Sequence, residues 1–399
     1  MKKGEKMSTQ NYRTKTMMLE TKNVSKPGRW DVAIDVGYSG VKIFTPNCIS
    51  CFPAFAIVSQ GERLNIDTES SRTRILYRHK EGDQEWLVGR FAQDALSKED
   101  ADENSMMIYD RQRYDSEMFH VLVDTALGIA CTKNQYGDPT GLPIVVESGL
   151  PSKYIQSDAP SLREVFEGYH SFDIRIGNAP WKHYDLVIVK GNVHVMLQPM
   201  GSFISVSTGS DGHQRAEFEK YASSTTIVCD PGFGTYDCFL LKGQMITEKE
   251  TFASLGMKEV LVETSRRIQS QYGVEIPIPV MQKFLEIGTF PTYDRKTLTS
   301  ANVPFDSILE ECSRNVAEKA IEKTKGYHLD ECQYMILTGG TGEAWYPYFK
   351  ERLKGMTNLT IIPGNQNTMG ILKGQNGESL PLPFIFGNVR GYYMALFNR

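Results

Sequence analysis

A chain of 399 residues exceeds what one hydrophobic core ordinarily serves, so at least two domains are expected. With 40% apolar residues, 23% charged residues and a net charge of −4, it reads as a globular protein without the global basic field that draws a protein body to nucleic acid. No apolar run approaches the ~20 residues of a membrane-spanning helix, and seven cysteines, an odd number set largely in apolar runs, point to a reducing cytoplasm rather than a disulfide scaffold.

The first 29 residues carry eight Lys or Arg against Glu5 and Glu20 and lack apolar periodicity. They predict a basic, disordered extension over residues 1–29, with no apolar core of a signal peptide. The sharper alternative is a basic arm that touches DNA or a neighbouring subunit. Strand signals run from Trp30 to about Val58. Cys48-x-x-Cys51 lies among them without a second pair or a nearby histidine, short of the four ligands of a structural zinc site.

Trp86–Gly89 reads as a short strand before a helix start at Arg90, and Met118–Cys131 has the 3.6-residue apolar period of a packed helix. Leu142–Val146 is a buried strand ending at Gly149-Leu150-Pro151. Tyr184–Val189 and Val193–Leu197 read as a strand pair around Lys190-Gly191-Asn192.

The pattern restarts near Ser223, with strands at Thr225–Cys229 and Tyr236–Leu241 and helices at Met257–Ile268 and Asp306–Lys323. Buried strands follow at Tyr334–Leu337 and Leu359–Pro363, and a closing helix from Asn388 onward. Strand groups alternating with helices twice over imply α/β layers in two similar halves.

Three loops carry the chemistry. Asp35-Val-Gly37-Tyr38-Ser39-Gly40-Val-Lys42 turns on an aspartate and glycines between two apolar runs, and Asp230-Pro-Gly232-Phe233-Gly234-Thr235-Tyr-Asp237 repeats it 195 residues later. Such glycine turns leave backbone N–H groups unshielded toward phosphate oxygens. Ser39 and Thr235 add hydroxyls, and Lys42 an ammonium for a β- or γ-phosphate. An aspartate and a phosphate are both anions, so Asp35 and Asp230 suit a Mg²⁺ ion held through water. The third loop, Thr338-Gly339-Gly340-Thr341, joins a buried strand to a helix start, where a base or ribose can lie against backbone.

In this order the three elements resemble the phosphate-1, phosphate-2 and adenosine motifs of the actin, sugar-kinase and heat-shock-chaperone ATPase superfamily. Within it the chain most resembles bacterial actin-like proteins of the ParM/StbA type, which build plasmid-segregating filaments. Supporting stretches are Trp86–Ala92, Ser148–Ser152, Gln198–Gly201, Ser254–Met257 and Asn388–Tyr393. The resemblance covers roughly residues 30–399.

It implies an actin-like α/β fold of two similar, duplicated ribonuclease-H-like domains with a nucleotide cleft between them. Domain I would span 30–222, completed by about 375–399, and domain II 223–374. Asp35 and Asp230 would organise Mg²⁺, and Gln198 would orient the attacking water, a role a neutral amide can fill because phosphoryl transfer needs mostly positioning and charge neutralisation. Gly37, Tyr38, Ser39, Lys42, Gly232, Phe233, Gly234 and Thr235 would cradle phosphates, and Gly339, Gly340 and Thr341 would lie against adenosine. The helix from Gly256 to Arg266 would flank the base, with Lys258, Glu259 or Glu263 as contacts.

The function implied is a bacterial, cytoplasmic ATPase that binds ATP (or GTP) with Mg²⁺, polymerises, and hydrolyses nucleotide to control filament turnover. Its partners would be its own copies and a small DNA-binding adaptor of the ParR type on a centromere-like site, with no membrane and no direct nucleic-acid contact except through the basic N-terminal tail. The alternatives are a small-molecule kinase on the same fold and a nucleotide-binding scaffold for cell shape or division. Pro231 and Phe233 depart from the family pattern, and the basic extension has no counterpart in it.

Overall fold

The computed structural model describes residues 8–59, 73–80, 82, 84–96, 111–294, 296–374 and 376–399. In chain order the strands of the first half are β1 (Met17–Glu20), β2 (Trp30–Val36), β3 (Gly40–Phe44), β4 (Cys48–Pro53), β5 (Ala56–Val58), β6 (Ile75–His79), β7 (Glu85–Val88), β8 (Ile144–Leu150), β9 (Gly168–Ile176), β10 (Lys182–Ile188) and β11 (Val193–Leu197). The second half contributes β12 (Thr226–Pro231), β13 (Tyr236–Lys242), β14 (Met245–Phe252), β15 (Thr289–Asp294), β16 (Thr299–Pro304), β17 (Tyr334–Leu337) and β18 (Thr360–Pro363).

The duplication is visible in the pairing. One sheet has the order β1-β4-β3-β2-β8-β11, and the other β14-β13-β12-β17-β18. In each, a glycine-tipped hairpin opens an antiparallel meander, and the hairpin's first strand then pairs with a parallel strand. Parallel neighbours need a long crossover, here supplied by helices such as Glu117–Ala130 and Asp306–Thr324. Burial follows: all of β2, β3, β4, β8 and β12 is buried, which is why these strands read as nearly continuous apolar runs.

A second sheet, β10-β9-β6-β7-β5, stands beside the first half, and the hairpin β15–β16 extends the second. The strand pair expected at Tyr184–Leu197 is corrected here. β10 pairs with β9, whereas β11 pairs in parallel with β8, so the glycine turn joins two different sheets. A turn signal does not reveal which partner a strand finds across the fold.

The closing helix, Gly387–Asn398, crosses the helix Gln198–Ser207 at two glycines: a Cβ added to Gly391 would overlap the Gly201 carbonyl. Arg390, wholly buried, donates from Nη2 to Thr208 O at 2.8 Å and from Nη1 to Ser205 O, capping the last carbonyls of that helix. Burial holds its guanidinium down at about 10.

The expectation of disorder over 1–29 fails for residues 8–29; residues 1–7 lie outside the described part. Thr9–Tyr12 forms a single 3-10 turn capped by Ser8, and β1 adds a sixth strand antiparallel to β4. Composition favoured disorder because the apolar residues here, buried Tyr12 and half-buried Met17 to Leu19, are covered by distant partners rather than by each other. All seven cysteines are buried and unpaired, and burial pushes the Cys48 and Cys51 thiols up to about 11 and about 12. The two lie three residues apart on β4, on opposite faces of the strand, and pack into different core clusters rather than toward a shared site. Among the described residues no helix is long and apolar enough to cross a membrane.

Candidate functional site

Both glycine hairpins close with the same turn. Gly37 N–H donates to Gly40 O at 3.1 Å, and Gly232 N–H donates to Thr235 O at 2.8 Å. Within each turn one tip amide, that of Ser39 or Gly234, takes part in no backbone hydrogen bond among the described residues. The glycines let other groups come close. A Cβ on Gly37 would stand 2.7 Å from the Lys42 ammonium, and one on Gly234 would stand 2.8 Å from the Tyr38 ring.

That last contact explains the aromatic tip of the first hairpin. Tyr38 reaches over to lie on the second hairpin's glycine, with the Arg113 guanidinium 4.6 Å from its ring centre. The two loops thus face and touch each other.

The copies are equivalent in register and opposite in charge. Asp35 pairs across its hairpin with Lys42, and Asp230 pairs across its own with Asp237. Lys42 Nζ lies 3.0 Å from Asp35 Oδ2, so the first carboxylate is neutralised in place. The second hairpin sets a carboxylate where the first has an ammonium. Burial, and then the charges of Asp237 and Asp35, push the Asp230 carboxyl up to about 7 against the hydrogen bond from Asn388. Burial raises Asp237 to about 6, although it accepts from Ser152 N–H at 3.2 Å, Thr235 Oγ1 at 2.9 Å and Thr251 Oγ1 at 2.5 Å. A pair of buried carboxylates with raised proton affinity is a place where a cation is electrostatically favoured.

Gln198 begins the helix Gln198–Ser207 and donates from Nε2 to Asp35 Oδ1 at 3.2 Å. With its nitrogen committed there, the amide oxygen remains as an acceptor, the polarity that orients a water molecule. Asn388, on the closing helix, donates from Nδ2 to Asp230 Oδ2 at 2.7 Å. Its Oδ1 lies 2.5 Å from Ser202 Oγ, which is itself 2.9 Å from Thr338 Oγ1. One polar chain therefore joins both halves and the third loop beneath the cleft.

In that third loop Gly339 adopts φ +77°, and a side chain there would overlap Asp230 Oδ1 and Pro231 O. Thr341 Oγ1 donates to Gly232 O at 2.6 Å.

A single cleft between the halves is lined by Asp35, Gly37, Tyr38, Ser39, Lys42, Gln198, Asp230, Gly232, Phe233, Thr235, Gly339, Gly340 and Thr341. Gly234 and Gly256 shape it without lining it; a Cβ on Gly256 would overlap the Phe233 carbonyl. Glu263 is a correction. It pairs with Lys319 at 2.6 Å and does not line the cleft, whereas Met257, at the start of the same helix, does. A helix shows one face to a cleft, and sequence alone does not say which.

Residues given no role from sequence also belong to the site: Asp237, Asn388, Arg113 and Asn11 to Lys15 line it. Asp237 closed the second hairpin motif in the sequence without a role, and the sheet register makes it the partner of Asp230. Asn388 opened a stretch that carried the resemblance, and nothing local marked Arg113 or Asn11 to Lys15, which arrive from distant parts of the chain.

Residues 33–201 match the family model described as the N-terminal domain of actin-like proteins. Solved structures with the same fold include a pCBH ParM non-polymerisable quadruple mutant, 17% identical with a TM-score of 0.69. Another is a 15-stranded ParM filament from Clostridium botulinum, 18% identical with a TM-score of 0.68. A third is an archaeal actin homologue in complex with ADP, 15% identical with a TM-score of 0.57. Each alignment covers 93% of this chain and 100% of the other. No curated protein matches the sequence. The fold is that of the actin-like proteins, and at these identities the likeness is one of fold.

Proposed function

We propose that this chain, actin-like in fold, is an ATPase that closes on a Mg²⁺-bound nucleotide, assembles with its own copies into filaments, and uses hydrolysis to limit their lifetime. The observation that carries this reading is the pair of equivalent hairpins facing each other across one cleft, with Lys42 neutralising the first carboxylate and Asp237 doubling the charge of the second.

The residues present suit a nucleotide with its metal. Asp35 and Asp230 would hold Mg²⁺, which usually keeps several waters and takes one or two carboxylates together with phosphates. When bound, it supplies neutralisation of the charge on the phosphoryl oxygens. The tip amides of the hairpins, Ser39, Thr235 and Lys42 would bind phosphate oxygens. Gln198, held by Asp35, would align the attacking water through its amide oxygen. Gly339 to Thr341 would take the nucleoside against backbone.

Filament formation is supported by the shared fold with ParM-type proteins, among them a filament. DNA segregation through a small DNA-binding adaptor on a centromere-like site, in a bacterial cytoplasm, rests on the same resemblance. Fold alone does not determine function, so the test is direct. The protein is sedimented and imaged by electron microscopy with Mg·ATP, Mg·ADP and no nucleotide. Pelletable filaments with Mg·ATP that disappear as phosphate is released are expected. No polymer at any concentration overturns assembly, and ADP release that depends on an added sugar turns the reading to a small-molecule kinase.

A further inference from the structure

The segment before β2 lies across the site just described. On the second half it is anchored by Tyr12, only 4% exposed, and by Thr9, whose Oγ1 donates to Leu285 O at 2.7 Å. Arg13 pairs with Glu286 of the helix Ile278–Ile287, and Gln282 Oε1 accepts from Thr14 N–H. On the first half it is anchored by β1, whose residues Met17, Met18, Leu19 and Glu20 pair with Cys51, Ser50, Ile49 and Cys48.

Lys15 sits at the crossing. Its carbonyl accepts from Cys51 Sγ in the first half, while its ammonium reaches Glu343 Oε2 in the second, 3.0 Å away. Glu343 stands in the first turn of the helix that follows the third loop. Asn11 to Lys15 form a continuous stretch of the cleft's lining.

We propose that residues Ser8–Glu20 are a clasp on the nucleotide cleft, tethering the two halves and slowing nucleotide release; the nucleotide part of this rests on the function proposed above. The tether is short. From Tyr12 to Met17 the chain can extend at most about 18 Å. The halves therefore cannot part widely without breaking the bridge at Lys15 and then drawing Tyr12 from its site or stripping β1 from β4. The Lys15–Glu343 pair, with side chains 41% and 38% exposed, is the weakest of these points and the natural place for opening to begin.

The experiment uses the full chain. All seven native thiols are buried, so spin labels can be placed selectively on cysteines introduced at exposed Glu164 and Lys354, one on each half. Electron–electron double resonance then reports the separation of the halves without nucleotide, and stopped-flow release of a fluorescent N-methylanthraniloyl ATP analogue with Mg²⁺ reports the cleft. Lys15→Glu should broaden the distance distribution toward longer values and speed release about fivefold. Lys15→Glu combined with Glu343→Lys should restore both, and Tyr12→Ala should speed release about tenfold.

If Tyr12→Ala does not fold by circular dichroism, the charge swap decides alone. Unchanged distances and unchanged release in the folded variants overturn the clasp. If the distances shift but the wild-type protein binds no nucleotide, the tether stands and the nucleotide reading falls.

Discussion

Replacing Asp230 by Asn tests the charge logic of the second hairpin. The carboxyl is wholly buried and raised from 3.8 to about 7, chiefly by burial. A buried acid with a raised proton affinity takes up protons in the folded state that the unfolded chain has already released, so the folded state loses stability as pH rises between those two values. By linkage this amounts to about 1 kcal/mol near pH 4.5, growing to about 4 kcal/mol at pH 8 and levelling there.

Asn keeps the shape and still accepts from Asn388 Nδ2 through its oxygen, but has no proton to lose. The Asn variant should therefore be more stable than the wild type, by a margin that widens by about 3 kcal/mol between pH 4.5 and pH 8. Asp237 is present in both proteins, and its repulsion with ionised Asp230 is part of what the substitution removes. The assay is urea unfolding of nucleotide-free protein followed by circular dichroism at several pH values. Mg·ATP hydrolysis by the same variant should fall by at least about a hundredfold, as expected for loss of a carboxylate that would hold the cation neutralising phosphoryl charge. A constant or shrinking stability margin across that pH range would refute the claim that Asp230 is a destabilising buried acid. Wild-type turnover would remove it from the site.

Gln198→Ala should cut turnover about a hundredfold while the Michaelis constant for Mg·ATP stays within a few-fold, since positioning the water matters in the transition state rather than in binding; a loss in affinity alone contradicts the assignment. Lys42→Met leaves the buried Asp35 carboxylate without its partner, so a stability loss of about 3 kcal/mol and weaker nucleotide binding are expected in melts and calorimetry; an unchanged melt shows that the pair is not needed. Apparent affinity for Mg·ATP should rise with pH and level off above about 7, where Asp230 is ionised; affinity that is flat from pH 5.5 to 8 contradicts a role for Asp230 in holding the cation. Gly391→Ala should be among the most destabilising single changes, because the added methyl overlaps the Gly201 carbonyl where two helices cross; a wild-type melting temperature excludes that close approach.

The fold was legible where local chemistry and tertiary role coincide. The buried strands are largely apolar because both faces are covered, so Trp30–Val36, Gly40–Phe44 and Thr226–Pro231 announce themselves. The hairpin tips need glycine to let Lys42 and Tyr38 approach, so the repeat is written in the sequence. The edge strand Met17–Glu20 was not legible, because its four residues become a strand only by pairing with Cys48–Cys51.

The sequence by itself determined that there are two equivalent glycine hairpins, each opened by an aspartate, because turn geometry and strand burial are local demands that specific residue types must meet. Only the tertiary structure decided that Asp230 faces Asp237 while Asp35 faces Lys42, that Asn388 arrives from the far end of the chain to hold Asp230, and that the basic N-terminal segment crosses the cleft. Those are relations between groups up to hundreds of residues apart, set by sheet register and helix crossing, and register is fixed only when both partners are in place.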